Sequence, residues 1–478
     1  MNDSFSSKVA NASLWSAVEK IGTYGLQFVT SMLLARLLCP EDYGVIAMLM
    51  IFIEIGRQFV ECGFRNALIR KQNCNQDDFS TAFYFNIGVA LVIYLVLFLI
   101  APLVATFYNM PPMKVVLRVY GLVIIINSMT IVTSAILTQR LLFKAMAKYN
   151  ILGNLISGIV GICMAYKGFG VWALVGQSIL GSALLVVFLQ IATKWLPSVR
   201  FSKTSMHYLW GFGSKMLATG IIGVIYSNIY SLILGKLYTP AILGNFNRGQ
   251  NIAQMVPGIV GSVFMNSSLP LLSQQQDDRD RLVHVYRELS KLGSYILFPL
   301  VLLMMVLARP FVLLVLTDKW SECIIYIQIF SISMLTSAAG AINLNLLQAM
   351  GRSDLTLKAE VLKKFTGFAV VFTMLFLGPL ALAIGSTIFN IFCYAINLYY
   401  AKKVVGLKYT DQLRDLYPYL LCAIAMAIAI YLISFMIQNN MIVLVMGAVV
   451  GTIIYYLLTT YILKVDYAKR FINIALKK

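Results

Sequence analysis

One stretch of the chain occurs twice, and it decides how the fold is organised. The first copy reads Ser31-Met-Leu-Leu-Ala-Arg-Leu-Leu-Cys-Pro-Glu-Asp-Tyr-Gly44, and the second reads Ser231-Leu-Ile-Leu-Gly-Lys-Leu-Tyr-Thr-Pro-Ala-Ile-Leu-Gly244. The copies align without a gap and share two leucines, a proline, a glycine and a cation, which is Arg36 in one and Lys236 in the other. Apolar helices resemble one another by chance, but the shared proline, glycine and cation indicate an internal repeat.

A second match follows in the same order along the chain. Gln139 matches Gln348, and Trp172-Ala-Leu-Val-Gly176 matches Ala381-Leu-Ala-Ile-Gly385. Membrane transporters are often built from two such halves with a site between them. The matched segments are separated by an even number of predicted spans, so we expect parallel repeats about an axis along the membrane normal.

The composition predicts a membrane protein. Hydrophobic residues make up 60% of the chain and charged residues only 12%, about half the share of charge in soluble domains. Apolar runs long enough to cross the bilayer recur along the whole length, and they predict about 14 transmembrane helices. We therefore expect an all-α polytopic protein with a six-helix lobe at 1–204, a second six-helix lobe at 205–405, and two additional helices with a cytoplasmic tail at 406–478.

The net charge of +19 follows the predicted loops. Most of the 38 Lys and Arg residues fall in alternate loops, as the positive-inside rule requires, with both termini in the cytoplasm. This placement indicates attraction to anionic lipid and no nucleic-acid partner. The polar N-terminus lacks the features of a cleaved signal peptide.

Two local features refine this picture. The segment 277–292 has apolar residues at helical spacing among charges, which predicts a separate amphipathic helix on the inner surface linking the halves. Pro257 falls in the middle of the eighth span, where a kink is expected.

Charges inside the spans define a candidate site, because each costs about 3 kcal/mol at the bilayer centre. Four cations lie on spans 1, 2, 7 and 8, which the repeat places at the axis between the lobes. We predict that they line a substrate cavity: Lys20, Arg57, Lys215 and Arg248.

Acids accompany these cations. Glu19 precedes Lys20, and Glu54, Arg57 and Glu61 share one helix face. The alternative role for Glu54, Arg57 and Glu61 is a self-neutralised structural ion-pair ladder. For Arg36 and Lys236 the preferred interpretation is snorkelling to the outer headgroups.

The sequence lacks the residues that several kinds of chemistry require. Two histidines and seven cysteines without paired spacing predict neither a metal site nor a disulfide framework. No phosphate-binding Gly-x-x-x-x-Gly-Lys-Ser/Thr motif and no credible Ser/His/acid set occur. We expect no cofactor and no catalytic residues.

The ordered motifs resemble the polysaccharide transporter branch of the multidrug/oligosaccharidyl-lipid/polysaccharide flippase superfamily, in particular its colanic-acid (Wzx-like) exporters. The similarity spans nearly the whole chain and rests on Leu34 to Gly44, Glu61 to Arg70, Tyr84-Phe-Asn86, Gln139 to Phe143, Leu269-Pro-Leu-Leu-Ser273 and Thr317-Asp-Lys-Trp320.

This resemblance implies a V of two six-helix bundles around a cationic cavity. It implies a flippase of the bacterial cytoplasmic membrane that moves undecaprenyl-diphosphate-linked repeat units to the outer leaflet for surface polysaccharides such as O-antigen. The polymerase and glycosyltransferases of the same pathway would be its partners. The alternatives are a cation-coupled multidrug exporter of the same superfamily and a membrane glycosyltransferase or polymerase, for which the outer loops look too short.

Overall fold

A computed structural model of the 478-residue chain describes residues 15, 22–71, 74–406, 408–465 and 467, without the side chains of Phe212, Lys215 and Tyr409. The described part is helical, with no β-strand. The chain divides into two compact units, Met1–Gly244 and Asn245–Lys478. This division lies later than the predicted boundary after residue 204. It does not test the internal repeat, and the six-helix lobes stay a prediction.

The first unit holds helices α1 to α10 and the start of α11. Their bounds are 22–37 (α1), Pro40–Glu61 (α2), Phe64–Arg70 (α3), Gln76–Phe107 (α4), Met113–Tyr120 (α5), Leu122–Ser128 (α6), Thr130–Gln139 (α7), Phe143–Tyr166 (α8), Val171–Thr193 (α9), Lys203–Leu237 (α10) and Pro240–Ser273 (α11).

The second unit holds the rest of α11 and eight further α-helices. They are Arg279–Val306 (α12), Ala308–Phe311 (α13), Cys323–Met334 (α14), Ser337–Ala349 (α15), Ser353–Met374 (α16), Pro379–Val405 (α17), Tyr409–Met436 (α18) and Asn440–Leu457 (α19). Short π-helical turns cover 312–316 and 458–462, and 3₁₀ turns cover 318–320 and 375–377.

Eleven helical stretches of the described part are long and apolar enough to cross a membrane. The chain is therefore a multi-pass membrane protein, as its composition predicts. The first predicted span lies partly outside the described residues. Helix α2 carries Glu54, Arg57 and Glu61, and α16 carries Glu360, Lys363 and Lys364. The total of 14 spans stays a prediction.

The sequence predicts a span that starts near residue 360, whereas helix α16 begins two turns earlier, at Ser353. Arg352, which precedes the helix, donates two hydrogen bonds of 3.0 Å to the Asp354 carboxylate. This pairing lowers the pKa of Asp354 to about 2, so a negative charge stays in the first turn, where the helix dipole favours it. Lys363 consequently lies about 15 Å along the helix, where its amine pairs with Glu360 at 2.8 Å.

The amphipathic segment is not a separate surface helix. It forms the first part of α12, which Asp278 caps by accepting a hydrogen bond from the Arg281 backbone N–H. The predicted apolar face packs inside the second unit, where Leu282 and Tyr286 are buried. Nothing between 279 and 298 interrupts the helix with proline, so it continues into the following span.

A buried polar network ties α12 to α15 and α18. Asn343 Oδ1 accepts hydrogen bonds from the Tyr286 hydroxyl (2.5 Å) and from Gln412 (3.3 Å). At the same end, the Arg287 guanidinium makes a bidentate pair with Asp415 at 2.6 and 2.8 Å. These contacts anchor α18 on α12, since bidentate charge-assisted bonds fix geometry strongly.

The linker after α9 is fastened to the first turns of α4. The Trp195 indole N–H donates to Gln76 at 2.8 Å, and the Ser198 backbone N–H donates to Ser80 Oγ at 2.9 Å. The Ser202 backbone N–H donates to Thr81 Oγ1 at 2.9 Å, and Ser202 then caps α10. Helix α10 therefore starts from a fixed point in the first unit.

The two copies of the repeated stretch contact each other within the first unit. A Cβ added to Gly44 would overlap the Pro240 carbonyl, and a Cβ added to Gly244 would overlap the Pro40 carbonyl. The contact is thus reciprocal, with each glycine receiving the proline of the other copy. Beside it, the Lys236 amine donates to the Phe107 carbonyl, which ends α4. Cations stabilise a helix C-terminus in this way, so Lys236 has a protein partner at the position predicted for headgroup snorkelling.

We expect Gly44→Ala to destabilise the protein by about 1–3 kcal/mol, the usual cost of overpacking, because a backbone carbonyl cannot move aside as a flexible side chain can. Thermal unfolding of the purified full chain in detergent measures the effect. Gly88→Ala is the matched control, since nothing lies within 4 Å of its added Cβ. Equal unfolding temperatures for the two variants would contradict the close contact.

Candidate functional site

Arg57 is one of the two predicted site cations whose side chains the structure describes. It lies on α2 and its side chain is exposed, whereas its neighbour Gly56 is buried against Ile93 and Ile124. Arg57 is 17 residues from Pro40, which places it about 25 Å along the helix. A guanidinium at this depth offers a fixed positive charge and several donors, the combination that recognises phosphate or carboxylate oxygens.

Glu54 lies one turn from Arg57, but its partner is on another helix. The Glu54 Oε2 atom accepts a hydrogen bond of 2.9 Å from the Asn228 side-chain amide of α10. Asn228 also donates to the Val224 carbonyl at 3.0 Å. Among the described residues, no ion pair joins Glu54, Arg57 and Glu61. The self-neutralised ladder considered from the sequence is therefore not formed.

Helix α10 reaches Glu54 because glycines let it lie close to α2. We call this contact the α2–α10 seam. From the α2 C-terminus towards its N-terminus, the seam contacts are Gly213 on the Cys62 carbonyl, Gly220 on Gln58 and Gly235 on Met48. Small residues allow such close approach between helices in membranes. The Asn228–Glu54 hydrogen bond lies between the Gly220 and Gly235 contacts, so the seam sets its length.

Neither Asn228 nor the seam is predicted from the sequence. The available signal was the spacing of Gly213 and Gly220, which puts them on one helix face. That pattern indicates a packing surface, but it does not identify the helix that packs there. Asn228 stands in a polar run with Ser227 and Tyr230, and nothing in the sequence distinguishes it from them.

Arg248 is placed differently from Arg57. It is buried in the second unit, 6% exposed, with its guanidinium carbon 5.7 Å from the centre of the Trp320 ring. This distance is within the range of a cation–π contact. Nearby, the Asn245 amide donates to Glu322 at 3.0 Å. These contacts hold the segment 317–322 on α11.

The other predicted site residues are described only in part. Lys20 and Glu19 lie outside the described residues. Lys215 lies on α10 between Gly213 and Gly220, and its side chain is not described. Glu61 is the last residue of α2 and is half-buried. The convergence of the four cations therefore stays a prediction.

No group of three or more His, Cys, Asp or Glu side chains that could hold a metal ion occurs within the described ranges. The chemistry that the arrangement offers is recognition of an anion by Arg57. The neighbouring carboxylate, that of Glu54, accepts a hydrogen bond from the neutral Asn228 amide.

Comparison with known proteins gives this geometry a context. The family described as polysaccharide biosynthesis protein matches residues 33–325. The lipopolysaccharide biosynthesis protein WzxC of Escherichia coli (strain K12) is 24% identical over 424 residues, covering 86% of this chain and 84% of that protein. The succinoglycan biosynthesis transport protein ExoT of Rhizobium meliloti (strain 1021) is 24% identical over 307 residues, which is 64% of this chain and 62% of that relative.

Two solved structures share the fold. A lipid II flippase, MurJ, in an inward closed conformation superposes with a TM-score of 0.74 at 13% identity, covering 94% of this chain and 99% of that one. An inward-facing multidrug resistance transporter of the MATE family and MOP superfamily superposes with a TM-score of 0.59 at 12% identity, covering 83% and 98%. At these identities the similarity shows a shared fold and nothing finer.

The different surroundings of Arg57 and Arg248 predict different effects on stability. Arg248→Ala should cost about 2 kcal/mol, because it removes a buried stem and leaves a void under Trp320. Arg57→Ala should change stability by no more than about 0.5 kcal/mol, as exposed substitutions usually do. Thermal unfolding of the two purified variants compares them directly. A larger loss of stability for Arg57→Ala than for Arg248→Ala would contradict the exposed position of Arg57.

Proposed function

Since the chain belongs to the polysaccharide biosynthesis protein family, we propose that it is a flippase for lipid-linked oligosaccharides. Its cargo would be a repeat unit on undecaprenyl diphosphate, moved from the inner to the outer leaflet of the bacterial cytoplasmic membrane. The names of its relatives, which include a lipopolysaccharide biosynthesis protein and a succinoglycan transport protein, support the cargo class. The fold shared with a lipid II flippase supports the mode of action.

The observation that carries the proposal is the exposed Arg57 on α2, a helix that the sequence predicts to cross the membrane. A diphosphate cannot enter hydrocarbon without a compensating partner, because burying an unpaired charge is very costly. Arg57 supplies a positive charge and hydrogen-bond donors for the diphosphate oxygens. With the predicted orientation it lies in the inner half of the membrane, where a cargo assembled on the cytoplasmic side would first meet it.

The remaining predicted site residues complete the proposal. Lys20 and Lys215 would add positive charge, and Glu19, Glu54 and Glu61 would set its balance. Arg248 would have to leave Trp320 to reach a ligand, so within this proposal it holds the segment 317–322 in place.

Transport would require no covalent chemistry. The diphosphate would pair with the cations, the sugars would pass through the polar interior, and the prenyl chain would stay in lipid. Alternating access would exchange the open side, with Pro257 of α11 as a hinge, because proline removes a backbone hydrogen bond inside a helix. The polymerase and glycosyltransferases of the same polysaccharide pathway would act before and after this step.

The proposal is tested by flipping of a fluorescent polyprenyl-diphosphate oligosaccharide in proteoliposomes. We expect transport by the wild-type chain and a loss of about tenfold or more for Arg57→Gln, because hydrogen bonds to charged groups contribute about 1.5–3 kcal/mol. Arg140→Gln is the matched control, since Arg140 is an exposed arginine of a predicted inner loop outside the site.

Three results would contradict the proposal or its parts. Equal transport by wild type and Arg57→Gln would show that Arg57 does not bind the cargo. Equal losses for Arg57→Gln and Arg140→Gln would indicate a general effect of surface charge. Export of small cationic drugs without movement of the diphosphate lipid would establish the multidrug exporter instead.

A further inference from the structure

The carboxylate of Glu54 would weaken the proposed role of Arg57 if it paired with the guanidinium. The two side chains are three residues apart on one helix face, a spacing at which opposite charges pair readily. A paired Arg57 would present little net charge to a diphosphate, and the carboxylate would repel it. The site therefore needs a hydrogen-bond donor that holds the Glu54 carboxylate away from Arg57.

The side chain of Asn228 is such a donor. Its amide donates to Glu54 Oε2 at 2.9 Å, across the α2–α10 seam. Asn228 is itself held by its bonds to the Val224 carbonyl at 3.0 Å and to Ser227 Oγ at 3.2 Å. Arg57 has no carboxylate partner among the described residues and stays exposed. A hydrogen bond to a carboxylate is stronger than an ion pair on a helix surface, so this arrangement is the preferred one.

Two glycine contacts of the seam flank the Asn228–Glu54 bond. Gly220 contacts Gln58 on one side of it, and Gly235 contacts Met48 on the other. Each glycine is about two helical turns from Asn228. A Cβ at either glycine would overlap one of these α2 side chains, so the glycines leave room for Gln58 and Met48 on either side of the Asn228–Glu54 bond.

We infer that Asn228 is a positioning residue. It holds Glu54 away from Arg57, so that the guanidinium is available to a diphosphate group. This inference rests on the proposed function for its cargo, but the anion affinity of Arg57 can be measured without transport.

The test is a double-mutant cycle of Asn228→Ala and Glu54→Gln. Two readouts apply to each full-length variant: binding of inorganic pyrophosphate to the detergent-purified protein, and the concentration dependence of flipping of the fluorescent polyprenyl-diphosphate oligosaccharide. We expect Asn228→Ala to weaken pyrophosphate binding roughly fivefold, because the released carboxylate pairs with Arg57. The half-saturating concentration for flipping should rise by a similar factor, with the maximal rate little changed.

The decisive variant is the double mutant. In Asn228→Ala/Glu54→Gln the residue at position 54 carries no charge and cannot neutralise Arg57, so binding should return to the level of Glu54→Gln alone. A structural defect in α10 would not be repaired in this way. Asn228→Leu keeps the volume of the side chain without its amide, and it should behave as Asn228→Ala does. Asn154→Ala is the matched control, because the Asn154 amide donates to the Asn150 carbonyl one turn earlier on α8, in the same manner.

The outcomes separate the inference from the proposed function. Wild-type pyrophosphate affinity in Asn228→Ala, or a loss that Glu54→Gln does not restore, would overturn the inference. The full binding cycle without any flipping by wild type would support Asn228 as the positioning residue and overturn the flippase. Flipping that depends on Arg57, with no coupling between positions 54 and 228, would support the flippase and overturn the inference.

Discussion

The close approach of α10 to α2 is the constraint on which the described site depends. Gly213, Gly220 and Gly235 remove the side chains that would separate the two helices, and the reciprocal contact of Gly44 with Pro240 fixes their far end. In a bilayer, helices gain little from hydrophobic burial against each other, because lipid is as apolar as their side chains. Close packing and interhelical hydrogen bonds must supply the specificity instead. The Asn228–Glu54 bond, at 2.9 Å, is the interhelical hydrogen bond formed across this seam.

The same physics explains why charged residues of similar sequence context have different environments. A charge at membrane depth needs a water-filled cavity or a partner. Arg248 meets this requirement inside the second unit under Trp320, and Lys363 meets it through Glu360. Arg57 has neither a described carboxylate nor burial. Of the two predicted site cations whose side chains are described, Arg57 and Arg248, only Arg57 is therefore exposed to an anionic ligand.

Much of the helical architecture could be predicted from the sequence, because apolar runs and the caps around them are local signals. The apolar runs predict a span over 171–193 and another that begins at 323, and the structure has helices at Val171–Thr193 and from Cys323. The prediction of a separate surface helix at the start of α12 was wrong, because periodicity identifies an apolar face but does not show what covers it. Asn228 was missed for the same reason. Its meaning depends on Glu54, which only the tertiary fold brings beside it.

The repeat also limits where the chemistry can lie. The prolines, glycines and cations that shape the helix ends recur in both copies, as Pro40 and Pro240 show. The polar residues of the described site do not recur. At the same offset, Glu54 corresponds to Gln254, Arg57 to Pro257 and Asn228 to Phe28. The repeated stretch therefore accounts for backbone geometry at the helix ends, whereas the proposed ligand chemistry depends on Glu54, Arg57 and Asn228, which lie outside it.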